Sequence, residues 1–249
     1  MEKNIAYKTG EIVRYFAENR VSWDQFYDSE RNIIQGLGIT DSDSILDIGC
    51  GCGGLGIALK EKFGTTLYTG IEINELAARK AETMNPSATV LCGDFLEISK
   101  ADISGKVFDK VFSLSCFDWT IQFEEMLLAA WNHVAEGGSL VATFRIVATE
   151  GCGDMKKSYQ YINYDGKLAG EKAAYVVLNA KELFAKLLAL SPSSIAAYGY
   201  FGSPSQTAVT PYESICFTAV SITKRQGSNV GEPQLNLQLP NEILRQLDN

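Results

Sequence analysis

The stretch that decides the fold is LDIGCGCGGLG, residues 46–56. It follows the short apolar run 44–48 and precedes a segment, 55–63, with the pattern of a helix. A glycine turn between a strand and a helix lets backbone N–H groups and the helix N-terminus face a polar ligand at close range. The stretch therefore predicts a ligand-binding turn at the first strand of an α/β domain.

The glycines alone leave the ligand open. Gly49, Gly51 and Gly54 fit the dinucleotide pattern G-x-G-x-x-G. Asp47 followed by Gly49, Gly51 and Gly53 fits a different pattern, an acidic residue before G-x-G-x-G. Residues further along the chain are needed to distinguish the two patterns.

Cys50 and Cys52 also raise the possibility of a metal clasp. Structural zinc needs four nitrogen or sulfur ligands, and the other four of the six cysteines show no paired C-x-x-C spacing. A disulfide framework is not indicated in a chain of 249 residues with this spacing. We predict reduced thiols and no metal.

Length, composition and charge limit the classes of protein and of partner that fit this chain. The length of 249 residues suits one large α/β domain with at most a small appendage, and 46% hydrophobic and 21% charged residues are ordinary for a soluble protein. The N-terminus has no signal-peptide core and no apolar run could span a bilayer, which predicts a cytoplasmic location and no membrane partner. A net charge of −8 argues against a nucleic-acid partner. A small molecule is the expected partner, and the oligomeric state stays open.

Strand-like and helix-like segments alternate from residue 44 to 146, which predicts a mostly parallel sheet with helices on both faces. The predicted strands are 44–48, 67–71, 89–92, 108–114 and 139–146, and the helices are 55–63, 74–84 and 123–134. Ser22 and Gln25 form a capping-box pattern, and Phe26, Ile33 and Leu37 follow at helical spacing, which predicts a single helix from Ser22 before the first strand.

The pattern changes after residue 146. Residues 147–175 are too long for a plain connection, which predicts a substrate lid or insertion. A helix at 179–190 and two last strands at 195–201 and 215–224 follow, and the polar segment 226–249 looks loop-like apart from a short amphipathic piece. The expected domain is 1–225, with 226–249 a tail or the start of a further region.

Acidic residues at the ends of the predicted strands distinguish the ligands. Glu72 ends the second strand, where a carboxylate can accept hydrogen bonds from both ribose hydroxyls of a nucleotide-like ligand. NAD sites share this feature, so Glu72 alone does not discriminate between the ligands. Asp94, after the third strand, can accept an adenine amino proton while Phe95 flanks the ring. Asp47, just before the turn, can hold the ligand's ammonium group directly or through water.

With these residues in place, the sequence resembles the class I S-adenosylmethionine (SAM)-dependent methyltransferases, in particular their bacterial small-molecule branch. The matching segments are 46–53, 70–73, 93–95, 108–111 leading to Ser115, and 134–140. The resemblance implies a Rossmann-like fold with a seven-stranded, mostly parallel sheet and an antiparallel last strand. It implies SAM as cofactor, with contacts from Trp23, Tyr27, Asp47, Gly49, Gly51, Gly53, Glu72, Ile73, Asp94, Phe95 and Ser115.

The resemblance also narrows the reaction. The Asn/Asp-Pro-Pro-Tyr motif of nucleic-acid amino-methyltransferases is replaced by residues 115–119, SCFDW, so methylation of DNA bases is not expected. The acid cluster of metal-dependent catechol enzymes is not recognisable. The expected reaction is methyl transfer from SAM to a hydroxyl or amine of a small molecule, a sugar or glycan precursor among the candidates. An NAD-linked oxidoreductase and a non-catalytic SAM-binding protein remain the alternatives.

Methyl transfer to a hydroxyl needs a base within hydrogen-bond reach. Loops after the fourth and fifth strands and the segment 147–175 supply the candidates Asp118, Arg145, Tyr159 and Tyr161, with Trp119 as an aromatic wall. His133, the single histidine, lies on the helix before the fifth strand, where a structural role is favoured over a catalytic one.

Overall fold

A nine-stranded sheet forms the centre of the computed structural model, which describes residues 10–163, 165–227 and 231–247. The strands of this sheet are β1 Ser44–Ile48, β2 Leu67–Glu72, β3 Thr89–Cys92, β4 Phe108–Ser113, β5 Val134–Val147, β8 Leu178–Asn179, β9 Ser194–Gly202, β11 Ile215–Thr223 and β12 Gln234–Gln238. Their order across the sheet is β12-β9-β11-β5-β4-β1-β2-β3, and β8 pairs with the end of β5. A second, three-stranded sheet contains β6 Tyr159–Tyr161, β7 Lys172–Ala174 and β10 Ala208–Val209.

The direction of β11 confirms the predicted fold class. It runs antiparallel to both of its neighbours, β5 and β9, whereas β1, β2, β3 and β4 pair in parallel. The last strand of the predicted hairpin, β11, is therefore inserted between β5 and β9. The strands β8 and β12 are additions to the seven-stranded sheet.

Helices cover both faces of the central sheet. They are α1 Glu11–Glu18, α2 Asp28–Gln35, α3 Gly54–Phe63, α4 Glu75–Met84, α5 Phe95–Ile98, α6 Phe123–Asn132, α7 Ala180–Ala189 and α8 Asn241–Leu247. Successive side chains of a strand point to opposite faces. Accordingly, Leu46 and Ile48 of β1 pack in the core under α6 and α7, while Ile45 packs in a separate core under α2 and α3.

The N-terminal capping box makes a shorter element than the sequence predicts. The Ser22 N–H donates to the Gln25 side chain, but only a 3₁₀ turn, Trp23–Gln25, follows. Phe26 is extended, and a new helix, α2, begins at Asp28, where the Glu30 side chain accepts from the Tyr27 N–H. The predicted single helix from Ser22 is thus wrong, because a second capping pair restarts the helix after Phe26.

The segment after residue 225 is more ordered than its polar composition predicts. Gln234–Gln238 pairs in parallel with β9 as an edge strand, and Leu237 packs against the core. The amphipathic piece forms α8, in which Ile243 is fully buried. The sequence QLNLQ is too short and too polar to stand out, since an edge strand buries little of its surface.

No helix within the described part of the chain is long and apolar enough to cross a membrane.

Gly54, the first residue of α3, marks the place where the N-terminal segment crosses the glycine turn. A Cβ atom at Gly54 would clash with the Arg20 carbonyl oxygen. We expect Gly54→Ala to displace residues 18–22 and to lower the free energy of unfolding by about 1–3 kcal/mol, the usual cost of overpacking. Urea denaturation and the rate of tryptic cleavage after Arg20 measure the two effects.

Gly153→Ala is the matched control, because no atom lies within 4 Å of a Cβ added there. Equal stability and equal cleavage after Arg20 in the two variants would show that the crossing is not tight.

Candidate functional site

A cavity of about 840 Å³ opens at the carboxyl ends of β1, β2, β4 and β5. Its volume is in the range of small-molecule sites. The glycine turn and the ends of the parallel strands line one side, and α1, α2 and the three-stranded sheet cover the rest. The predicted lid segment 147–175 thus contributes to the wall of the cavity.

The glycine turn exposes bare backbone to this cavity. Gly49 and Gly51 have φ angles of +75° and +55°, a region that favours glycine. The N–H groups of Gly49 and Cys50 both donate to the Ile71 carbonyl, at 2.8 and 3.0 Å, which ties the turn to β2. A Cβ at Gly49 would lie 2.6 Å from the Cys116 sulfur. The turn therefore tolerates no side chain at Gly49.

Glu72 connects the second strand to the glycine turn. Its Oε2 accepts from the Gly51 N–H at 2.9 Å and its Oε1 accepts from the Asn74 N–H at 2.8 Å. The side chain is buried and lines the cavity. Because each carboxylate oxygen can accept more than one hydrogen bond, Glu72 is held in place and can still accept from ligand hydroxyls.

Asp47 lies buried beneath the turn. Its Oδ2 accepts from the Tyr68 hydroxyl at 2.6 Å. Burial raises the pKa of Asp47 to about 7, although the Tyr68 hydrogen bond and the charge of Arg20 oppose the shift, and the nearby Glu72 adds to it. A cation placed in this part of the cavity would return the carboxyl to its charged form.

Asp94 stands at the edge of the cavity rather than in its lining. Its side chain caps α5, with Oδ1 accepting from the Leu96 N–H at 2.9 Å. The flanking residues Gly93 and Phe95 do line the cavity. Its predicted contact with an adenine amino group remains a prediction.

The other predicted cofactor residues divide into two groups. Tyr27, Ile73 and Ser115 line the cavity. Trp23 and Gly53 are not among the lining residues: the Trp23 ring packs edge-on against Phe63, and Gly53 precedes α3 with a φ of +77°. Gly53 thus shapes the turn, and Trp23 anchors the segment before α2.

Sequence reasoning missed the ion pair between Arg20 and Glu30. The Arg20 Nη2 donates to Glu30 Oε1 at 2.8 Å, and the Glu30 side chain is fully buried. The guanidinium lies over the Phe26 and Tyr27 rings, 4.7 and 5.3 Å from their centroids. Both charged residues line the cavity. The capping pattern of Tyr27 and Glu30 was the available signal, but it says nothing of Arg20.

Asp118 and Arg145 form a second ion pair in the lining of the cavity. Arg145 Nε lies 3.3 Å from Asp118 Oδ2, and Arg145 Nη1 donates to the Asp118 carbonyl at 2.8 Å. Both side chains are buried and both residues line the cavity. Burial raises the pKa of Asp118 above its usual value, with Arg145 opposing and Glu30 reinforcing the shift. The structure therefore brings two of the four predicted catalytic candidates together.

Tyr159 and Tyr161 are not among the residues that line the cavity. Their rings pack edge-on at 5.6 Å, and the Lys172 ammonium lies 4.0 Å from the Tyr159 centroid. The lining residues are their neighbours Gln160 and Ile162. The alternation of side chains along β6 explains the difference, and the two tyrosines are set aside as catalytic candidates.

The cysteines of the turn and the single histidine have structural surroundings. A Cβ at Gly70 would lie 2.7 Å from the Cys50 sulfur, and the Cys52 thiol contacts the Val13 carbonyl at 3.3 Å. His133 Nδ1 lies 2.8 Å from the Lys106 carbonyl oxygen, and its ring packs against Phe95. All six cysteines are free.

Comparison with known proteins agrees with this geometry. Residues 46–140 match the family model described as a methyltransferase domain. A sterol 24-C-methyltransferase from Eremothecium gossypii is 26% identical over 165 residues, which make up 64% of this chain and 43% of that protein. The chain thus spans less than half the length of this curated relative.

Solved structures share the fold at low identity. The N-terminal domain of EvdMO1 with SAH bound has a TM-score of 0.57 at 17% identity, covering 80% of this chain and 82% of that one. A phosphoethanolamine N-methyltransferase from Haemonchus contortus with SAM has a TM-score of 0.61 at 13% identity, covering 87% of this chain and 57% of that one. These likenesses show the fold. The family match adds that residues 46–140 resemble a methyltransferase domain.

The buried Asp47 predicts a stability that falls as the pH rises. Its pKa is about 7 when folded and 3.8 ordinarily, so between these values the folded state binds the proton more tightly than the unfolded state. We expect the wild-type protein without ligand to lose about 2 kcal/mol more unfolding free energy between pH 5 and 7 than Asp47→Asn does.

Urea denaturation of both proteins at several pH values measures this difference. Asparagine keeps an oxygen that accepts from Tyr68, so the comparison isolates the charge. Parallel pH profiles for the two proteins would contradict the raised pKa.

Proposed function

We propose that this protein transfers the methyl group of SAM to a hydroxyl or amine of a small molecule. The observation that carries the proposal is the arrangement of one cavity. The glycine turn and Glu72 lie on one side of it, and Asp118 with Arg145 lies on another. A cofactor half and an acceptor half thus open into the same space.

The residues of the cofactor half fit SAM. The bare backbone at Gly49 and Gly51 leaves room for close approach, and the Glu72 carboxylate is positioned to accept ribose hydroxyls. Ile73 and Phe95 offer apolar contacts to a base. Asp47 places a carboxyl near the turn for an ammonium group. When bound, SAM supplies a methyl group already activated by its sulfonium.

Asp118 is the candidate base of the acceptor half. Burial raises its pKa above that of an ordinary aspartate, which makes the carboxylate a stronger proton acceptor. Arg145 fixes the carboxylate through its Nε and holds the neighbouring backbone carbonyl through Nη1. Arg145 itself stacks on the Tyr175 ring, with 3.7 Å between the guanidinium carbon and the ring centroid. The pair can orient an acceptor and take its proton.

The covering elements support alignment and exclusion of water. Residues of α1, α2 and the three-stranded sheet close over the strand ends. Methyl transfer depends mainly on holding the nucleophile in line with the bond that breaks and on keeping water out. We infer that the cover over this cavity serves both requirements.

The comparisons do not choose the acceptor, because the two named relatives act on different ones, a sterol and phosphoethanolamine. From the composition we also propose a cytoplasmic location and no nucleic-acid partner.

Because β12 pairs with β9 and α8 contacts α7, we infer that residues 231–247 belong to the same unit as the rest of the chain.

Calorimetry with SAM, S-adenosylhomocysteine (SAH) and NAD tests the proposal against an oxidoreductase. Binding of SAM and SAH without NAD is expected. Binding of NAD alone would overturn the methyltransferase function. Product formation with a panel of acceptors distinguishes an enzyme from a protein that only binds the cofactor.

Glu72 and Asp94 provide the sharpest test of the cofactor half. We expect Glu72→Ala and Asp94→Ala each to weaken SAM binding by about 1–3 kcal/mol, the usual cost of losing a buried hydrogen-bond partner. Calorimetric titration measures this loss. Glu97→Ala is the control, since Glu97 is an exposed carboxylate on the same short helix as the Asp94 cap. Wild-type affinity in both test variants would contradict the site.

Asp118→Asn tests the acceptor half. If Asp118 accepts the proton, kcat falls by about 10²–10⁴-fold and the acidic limb of its pH profile disappears, because the asparagine cannot titrate. SAH release with an identified acceptor measures both. Tyr159→Phe, outside the cavity lining, is the control. An unchanged acidic limb in Asp118→Asn would remove Asp118 as the base.

A further inference from the structure

The three-stranded sheet presents a neutral polar surface to the cavity. Its contributions come from β6, the two residues after it and the loop before β10, and include Gln160, Ile162, Asn163, Ser203, Ser205 and Thr207. None of these side chains is charged. Lys172, the cation of this sheet, lies over Tyr159 and Tyr161, which are outside the lining. The wall therefore offers amides and hydroxyls to a ligand.

The charges of the cavity leave nothing to bind an anion. Among the described lining residues the basic ones are Arg20 and Arg145, and each lies against a carboxylate, Glu30 or Asp118. The other acids, Asp47 and Glu72, are at the cofactor half. A carboxylate or phosphate on the acceptor would meet a cavity in which acids outnumber bases, and burying such a group without an unpaired cation is costly.

Three buried polar atoms of lining residues have no hydrogen-bond partner within the described structure. They are Asp118 Oδ1, Asn163 Oδ1 and Trp119 Nε1. The identity of the Asn163 oxygen is fixed, because Nδ2 donates to the Lys167 and Ala169 carbonyls at 2.6 and 2.9 Å. A polar atom left buried and unpaired destabilises the structure that holds it.

The types of these atoms indicate the ligand group. Two of them accept hydrogen bonds and one donates. An ammonium group satisfies acceptors only, and a carboxylate satisfies donors only, whereas a hydroxyl does both. Aromatic rings complete the surface: Tyr200 and Phe217 pack at 6.3 Å between centroids and line the cavity with Trp119. Such rings suit the apolar carbon face of a saturated ring.

We propose that the acceptor is an uncharged, polyhydroxylated ring of the sugar class, recognised by the three-stranded sheet together with Asp118 and Trp119. The proposal rests on the proposed function, since it names the substrate class of the same cavity. In this proposal Asn163 is a specificity-determining residue. Methyl transfer forms an ether: the sugar oxygen bonds to the methyl carbon and loses its proton to Asp118. The C–S bond of SAM breaks at the same time and leaves SAH.

Saturation-transfer NMR on the SAH-saturated protein tests this substrate class with rings matched in shape but not in charge. The methyl glycosides of glucose, galactose and fucose are the neutral probes, and those of glucuronate, galacturonate and glucosamine are the charged ones. At least one neutral glycoside is expected to bind at least tenfold more tightly than every charged probe. Tighter binding of a uronate or of the amino sugar, or no binding of any neutral glycoside, would overturn the proposal.

Two variants connect the preference to named residues. Asn163→Leu should weaken the neutral glycoside at least fivefold, while the control Tyr161→Phe, outside the lining, should leave it unchanged. Asp118→Asn leaves Arg145 without its carboxylate and should shift the preference toward the uronate. Thermal melting shows that each variant is folded. An unchanged preference in both Asn163→Leu and Asp118→Asn would contradict the assignment.

The SAH titration that precedes the experiment separates the two proposals. Failure of SAH to bind would remove the proposed function and this inference with it. Binding of SAH together with a preference for a charged ring would remove the inference and leave the methyltransferase function standing.

Discussion

The backbone pairing between the glycine turn and the end of β2 is the constraint on which the site depends. Two successive N–H groups, of Gly49 and Cys50, share the Ile71 carbonyl, and the side chain of the next residue of β2, Glu72, accepts from the Gly51 N–H. These contacts hold the Glu72 carboxylate against the turn before any ligand binds. A site held in this way pays little ordering entropy on binding, which favours affinity.

The cover of the cavity depends on that turn in a second way. Because Gly54 has no side chain, the backbone at Arg20 can cross directly above the start of α3. This crossing places the Arg20 guanidinium against Glu30 and over Phe26 and Tyr27. The same turn thus shapes the cofactor half and positions the N-terminal cover. Asp118 and Arg145 form a second buried pair, so two ion pairs line the cavity.

The features that the sequence predicts correctly are those that depend on interactions between residues close together along the chain. The first four strands and the helices predicted at 74–84 and 179–190 depend on local patterns, and the structure has them close to where the sequence predicts. The fifth strand begins at Val134, five residues before the predicted 139, inside the end of the predicted helix 123–134. The single helix from Ser22 was wrong, since a local capping pair at Tyr27 and Glu30 competes with it. β12 was missed because its stabilisation comes from pairing with β9 rather than from its own short polar sequence. Tyr159 and Tyr161 were misplaced because chemistry alone does not tell which face of a short strand meets a cavity.

The sequence by itself determined the α/β fold and the cofactor turn. Hydrophobic periodicity and glycines between a strand and a helix act over a few residues, and parallel strands bring their carboxyl ends to one edge. The residues of the proposed acceptor half come together only in the tertiary structure. Asp118 and Arg145 are separated along the chain and meet through β5, and Gln160, Asn163 and Thr207 reach the same cavity through a separate small sheet. Contacts of this kind depend on how whole elements pack, which no local pattern encodes.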